Sequence, residues 1–164
     1  MYNFGSASIQ VEDYMPDKDE ILKKARQRAR ESNLPYEGAV LPAEAQTLLE
    51  QEPGATLVDV RSRAELDFVG RVPGSVEIEW KRYPGMALNA EFVQQLTKQV
   101  PQDATVMFLC RSGGRSHETA AAAAQAGYTK AYNVLQGFEG DRDASGHRNT
   151  IGGWRAAGLP WLQS

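Results

Sequence analysis

From Gly38 onward, short β-branched runs alternate with stretches whose apolar positions recur at helical spacing. The runs Ala39-Val40-Leu41, Thr56 to Val60, Val76 to Ile78, Thr105 to Cys110 and Ala131 to Leu135 read as strands. Between them, Pro42 to Gln51, Ala64 to Val69, Ala90 to Gln99 and Arg115 to Ala126 read as helices. Pro42 opens the first of these, where its missing N–H costs nothing, and Gly127 stands where a helix places its C-terminal glycine. The alanine run Ala120 to Ala124 fits a helix packed closely on a sheet. Strands alternating with crossover helices predict an α/β fold, an open parallel five-stranded sheet flanked by helices on both faces. Ligands of such sheets gather outside the carboxyl ends of the strands.

The first forty residues differ. Asp17 to Glu31 (DKDEILKKARQRARE) is densely charged, yet Ile21, Leu22, Ala25 and Ala29 fall on one helical face. Residues 1–37 are expected to form an N-terminal helical extension and residues 38–164 the main domain. The helix is read as lying against that domain with a solvated outer face; the competing reading is an arm that binds a partner or a second copy.

Composition changes this picture little. The chain of 164 residues is 41 % hydrophobic and 24 % charged, which suits one ordinary globular core. A net charge of −3 lacks the basic field that attracts phosphate backbones, so nucleic acid is not an expected partner. No stretch approaches the roughly 20 apolar residues that span a bilayer, and the opening Met1-Tyr2-Asn3-Phe4 has no cationic segment leading into an apolar run. The expected location is cytoplasmic, with no membrane partner.

The chain has one cysteine, Cys110, which can form no internal disulfide and no cysteine-rich zinc site. It ends the apolar run Thr105 to Cys110, and the next residues, Arg111-Ser112-Gly113-Gly114-Arg115-Ser116, are too polar and glycine-rich to continue a strand. The chain must turn there and enter a helix, so backbone N–H groups and a helix N-terminus point toward the sulfur. Arg111 and Arg115 add positive charge. Such a cup favours thiolate over thiol and offers donors to an incoming oxyanion, and a persulfide would be held by the same groups. Gly113 and Gly114 are expected to permit close approach or a positive φ. The competing readings are a buried structural cysteine, which needs no charged loop, and a phosphate-binding loop, which would require a lysine followed by Ser or Thr.

This arrangement of strand, Cys110-Arg-Ser-Gly-Gly-Arg-Ser and helix resembles the active-site loop of the rhodanese family. Leu57-Val-Asp-Val-Arg61, then Glu65, then Gly70-Arg-Val-Pro-Gly-Ser75 is similar to the family's first signature, with Arg71 where histidine is usual, a departure expected to touch scaffold more than chemistry. Asn133-Val-Leu-Gln-Gly-Phe138 and Gly152-Gly-Trp-Arg-Ala-Ala-Gly-Leu-Pro-Trp161 resemble its closing strand, turn and final helix. The resemblance spans roughly residues 38 to 161 and implies a rhodanese-like sheet. It implies a sulfurtransferase in which Cys110 takes sulfane sulfur from a small anionic donor such as thiosulfate and yields it to cyanide, a thiol or a protein acceptor. Neither a metal nor an organic cofactor is implied. Four residues separate Cys110 from Arg115, against five in the phosphatases that pair cysteine with arginine. A phosphatase or arsenate reductase is therefore a lesser alternative, and both would want a carboxyl general acid, which no residue within the loop supplies. A sulfur carrier that does not turn over small donors is the alternative from another class.

Other residues carry further expectations. Asp59 and Arg61, at a strand end, read either as a charge pair supporting the cysteine loop or as a salt bridge remote from it. His117, in the first turn of a helix, suits capping better than catalysis. The long polar segment Gly137 to Trp154 reads as a surface excursion or, through Arg142, His147, Arg148 and Trp154, as a wall of the substrate entrance. Asp141 and Asp143 lack the pattern of a calcium loop. Trp80 and Tyr83 read as pocket-mouth aromatics or core plugs.

Overall fold

A computed structural model describes residues 16–164; the first fifteen residues, including the opening weighed above for a leader, lie outside the described residues. The elements run α1 (Lys18–Glu31), β1 (Gly38–Val40), α2 (Pro42–Gln51), β2 (Thr56–Asp59), α3 (Arg63–Phe68), β3 (Val76–Glu77), β4 (Lys81–Arg82), β5 (Ala87–Leu88), α4 (Phe92–Gln99), β6 (Val106–Leu109), α5 (Gly114–Gln125) and β7 (Ala131–Val134). Five strands form a parallel sheet in the order β1-β7-β6-β2-β3, as the alternating pattern predicts. The most apolar strand, β6, lies at its centre, paired with β2 through Val58↔Phe108 and with β7 through Phe108↔Asn133.

Alternate side chains of β6 feed two cores. Val106, Phe108 and Cys110 pack with Phe92 and Leu96 of α4 and Ala120 and Ala123 of α5. Met107 and Leu109 pack on the opposite face with Ile21 and Ala25 of α1 and Ala45 and Leu48 of α2. Both faces of the sheet are thus covered, which explains why β6 is an unbroken apolar run.

The chain leaves β2 toward β3 and leaves β6 toward β7, in opposite directions across the sheet. The connections diverge at the carboxyl ends of these neighbours, and the crevice so formed is the expected ligand position in an open sheet. The loop after β6 begins with Cys110, and the loop after β2 carries α3.

Helix α1 is started by Asp17, whose side chain accepts the Glu20 N–H at 2.9 Å. Its Ile21, Ala25 and Ala29 are buried, and Arg28 donates to the Ala39 carbonyl at 2.9 Å and to both carboxylate oxygens of Glu44 at 2.6 and 3.1 Å. The helix therefore packs into the core over β1 and α2, and most of its remaining charged residues are exposed.

The antiparallel pair β4 and β5 escapes the sequence reading, because its two-residue strands are too short to show a period. Helix α4 starts at Phe92 rather than Ala90. The Asn89 side chain accepts the Glu91 N–H at 3.1 Å and its carbonyl accepts the Phe92 N–H at 3.1 Å, which keeps the chain in a turn through Glu91. Arg71 serves the scaffold: its guanidinium joins Glu77 at 2.7 Å and Asp67 at 3.0 Å, while its backbone pairs with Leu162. Among the described residues no helix is long and apolar enough to cross a membrane.

If α1 is an integral layer, Ile21→Ala should lower unfolding stability by about 2–5 kcal/mol in a denaturant titration. A loss below about 1 kcal/mol, the range of a surface change, would mean that the helix contributes no core.

Candidate active site

Cys110 follows β6 directly, and its side chain is 1 % exposed. The backbone turns through Gly113, whose φ of 112° strains any residue with a Cβ, and α5 begins at Gly114. This turn carries the Gly113 N–H back to the sulfur, 3.1 Å from Sγ, at the positive end of a twelve-residue helix. The Ser116 hydroxyl lies 3.2 Å from the same sulfur and donates to Asn133 Oδ1 of β7 at 2.6 Å. The Asn133 amide in turn donates to the Gly113 carbonyl at 3.3 Å. Gly114 differs from expectation: its φ is helical and an added Cβ would meet nothing within 4 Å, so only Gly113 is required by the turn.

A second segment straps the loop from behind. Phe138 and Glu139 donate their N–H groups to the Cys110 and Arg111 carbonyls at 2.8 and 2.9 Å. Gly137, at φ 64°, comes so close that a Cβ would stand 2.5 Å from the Cys110 oxygen. Beneath this strap lie Asp59 and Arg61, both with wholly buried side chains and joined at 2.7 Å. Arg61 also donates to the Gly70 carbonyl at 2.8 Å and stacks 4.1 Å from the centre of the Phe138 ring. The pair reaches the cysteine loop through Phe138, not by direct contact with the sulfur.

The two loop arginines have different surroundings. Arg115 forms a bidentate pair with Glu65 of α3, at 2.7 and 2.9 Å, bridging the crevice between β2 and β6. Burial alone would raise the Glu65 carboxyl, but the hydrogen bonds and charge of Arg115, with the Ser62 hydroxyl and N–H at 2.9 and 3.3 Å, hold it down at about 2. Arg111 is exposed and forms no ion pair among the described residues. Ser112 is half-buried between them.

Arg111 and Arg115 border an open cleft of about 1110 Å³. Its far wall carries Arg142, His147 and Arg148, and its rim carries Phe68, Tyr83 and Met86, all exposed. Asp143 organises the far wall by accepting the Ser145 and His147 N–H groups, both at 2.9 Å, and the Thr150 hydroxyl at 2.8 Å. Trp154 is not part of that wall: it is fully buried and donates to the Pro160 carbonyl at 2.8 Å. Trp80 likewise turns from the cleft, packing edge-on against Phe92 and donating to Glu118 at 2.6 Å. His117 pairs through Nδ1 with the Tyr36 hydroxyl at 2.6 Å, bordering a separate cavity.

Asn133 and Glu65 touch the site through others; both stand in segments that resemble the family, but the sequence does not show which partners they take. Asn133 sits within an apolar strand, where an unpaired buried amide would be costly, a signal that it has a partner but not which one.

The family model of the rhodanese-like domain matches residues 41–144. The chain is 45 % identical to Rv0390 from M. tuberculosis, whose crystal structure superposes with a TM-score of 0.73 over 79 % of this chain and 99 % of that one. It is 32 % identical over 124 residues to the uncharacterized protein RP600 of Rickettsia prowazekii (strain Madrid E), covering 74 % of this chain and 94 % of that protein. The fold is also that of the 30 kDa polysulfide-sulfur transferase homodimer of Wolinella succinogenes, at 21 % identity, TM-score 0.52, and 87 % and 85 % of the two chains.

A carboxyl held at about 2 against an ordinary 4.5 contributes stability that is present above 4.5 and lost as pH falls through 2. The difference in unfolding stability between the parent chain and Glu65→Gln should therefore narrow as pH falls through that window. A difference that stays constant would mean that the Glu65–Arg115 pair does not couple to folding.

Proposed function

The chain belongs to the rhodanese-like family, within the sulfurtransferase superfamily, and we propose that it moves sulfane sulfur from a small anionic donor to a thiophilic acceptor through a persulfide on Cys110. The observation that carries this reading is the Gly113 N–H directed at the Cys110 sulfur from the first turn of α5. A backbone donor and a helix N-terminus favour negative charge on that atom before and after it takes up sulfur.

With thiosulfate as donor, the Cys110 thiolate attacks the outer sulfur, a new S–S bond forms, and the donor's own S–S bond breaks. Sulfite departs with the bonding pair. The acceptor's lone pair then attacks the terminal sulfur of the persulfide, and the electrons of that S–S bond return to Cys110 as thiolate. With cyanide the product is thiocyanate; a small thiol or a protein thiol takes the sulfur in the same way. Neither step changes the net redox state of the pair of reactants, so no external electron source is required.

Arg111 suits donor recognition because it is exposed beside the loop without an ionic partner among the described residues. Arg115 is committed to Glu65, which speaks against the phosphatase reading, since that chemistry needs the loop arginine to clasp phosphate. Arg142 and Arg148 add cationic character to the wider cleft and suit an anion or an acidic acceptor. A cytoplasmic setting, where thiols are kept reduced, completes the reading.

The purified chain should form thiocyanate from thiosulfate and cyanide, and Cys110→Ser should not. Arg111→Ala should raise KM for thiosulfate about tenfold, the size of one lost charged hydrogen bond, with a smaller change in kcat. A chain that takes up sulfur yet releases no thiocyanate would replace the enzyme by a carrier, and phosphate-ester hydrolysis in its stead would overturn the reading.

A further inference from the structure

The cleft beside Cys110 is larger and more varied than a small donor requires. Its volume of about 1110 Å³ lies past the roughly 300–1,000 Å³ of pockets that enclose a drug-sized ligand, and thiosulfate is far smaller. The lining carries four arginines against two glutamates, in a chain of net charge −3. Arg115 is matched by Glu65, which leaves Arg111, Arg142 and Arg148 against Glu139. None of those three arginines forms an ion pair among the described residues.

The cationic wall is held in place by its own backbone. Arg148 donates to the Gly140 carbonyl at 2.7 Å, the Asn149 N–H to the Glu139 carbonyl at 2.7 Å, and the Asp143 N–H to the His147 carbonyl at 2.8 Å. Gly153, at φ 107°, packs so closely here that a Cβ would stand 2.6 Å from the Gly140 nitrogen. The Asp143 carboxylate accepts from the Ser145 and His147 N–H groups and the Thr150 hydroxyl and pairs with neither arginine, and Asp141 stands outside the lining. A wall ordered in advance loses little freedom when a ligand binds.

The rim is apolar. Phe68, at the end of α3, is 81 % exposed, Tyr83 65 % and Met86 39 %. Large apolar side chains left uncovered beside a site mark a surface that another molecule covers. A bare anion would use the arginines and leave this rim in water, and a flat anionic membrane would cover the rim without entering the cleft.

We propose that the cleft docks an extended, acidic segment of a partner protein as the sulfur acceptor. Its cysteine reaches Cys110, its carboxylates meet Arg142 and Arg148, and an apolar side chain covers Phe68 and Met86. The acceptor thiolate attacks the terminal sulfur of the Cys110 persulfide. A new S–S bond forms on the acceptor, the S–S bond to Cys110 breaks, and its bonding pair stays on Cys110. Arg111 is left to the donor's oxyanion.

The chemistry of this inference rests on the proposed function, and a binding measurement tests the docking apart from it. The probe is a fluorescein-labelled heptapeptide with two acidic residues, a central serine in place of cysteine, and a leucine and a phenylalanine at its far end. By anisotropy at low salt, the parent chain should bind it roughly tenfold more tightly than a peptide with two serines for the acids, the size of two exposed ion pairs. Arg142→Glu with Arg148→Glu should reverse the choice toward a peptide with two lysines, which a misfolded variant could not do. Phe68→Ser should weaken the acidic peptide about fivefold. With the cysteine restored, that peptide should take sulfur from the loaded chain at a kcat/KM about tenfold above that of glutathione. Equal binding of the acidic and uncharged peptides, or a charge swap without reversal, overturns the inference. So does transfer to glutathione as fast as to the peptide, or tighter association with phosphatidylserine vesicles. The binding pattern intact in a chain that takes up no sulfur would count against the proposed function alone.

Discussion

After Cys110 the chain must leave a buried central strand and start a helix within four residues. It does so by a turn through the left-handed region at Gly113, and that turn carries the Gly113 N–H to 3.1 Å from the sulfur. A residue with a Cβ there would strain the turn, and the helix would no longer start over the sulfur. Much of the surrounding structure serves this reversal. The Gly137–Glu139 segment ties the loop carbonyls from behind, Phe138 rests on the buried Arg61, and Arg61 is neutralised by Asp59.

The opposite departures of the chain from β2 and β6 supply the second requirement, an open crevice. Across it Glu65 and Arg115 join the two loops, so the wall nearest the cysteine is built from a satisfied ion pair and not from a free cation. Among the described residues, positive charge outside an ion pair sits on Arg111 beside the cysteine and on the loop that Asp143 organises. A molecule with net charge −3 thereby presents a cationic cleft at one end of its sheet. That end is also where the loop carrying Cys110 lies, with Arg111 and Arg115 on the cleft wall.

Much of this was legible in the sequence for identifiable reasons. β6 declares itself by an apolar run and α5 by its alanines, so the cysteine loop between them could be placed at a carboxyl strand end. The parallel sheet followed from alternation alone. What periodicity cannot carry is pairing between side chains distant in sequence. Glu65 and Arg115 are fifty residues apart, and the sequence offers Arg115 as a substrate ligand without showing its partner. Asn133 is hidden for the same reason, being one polar residue in an apolar strand. Trp154 marks the opposite case: an aromatic suits a cleft wall by type, yet this one fills the core. The β4–β5 pair is too short for any pattern to reveal.

Transfer through a persulfide requires that the Cys110 sulfur itself carry the transferred atom. Intact-mass measurement of the chain after incubation with thiosulfate, beside Cys110→Ser, tests it most directly. The expected result is a gain of one sulfur atom in the parent chain only, reversed by cyanide. No gain in the parent, or the same gain in Cys110→Ser, would contradict it.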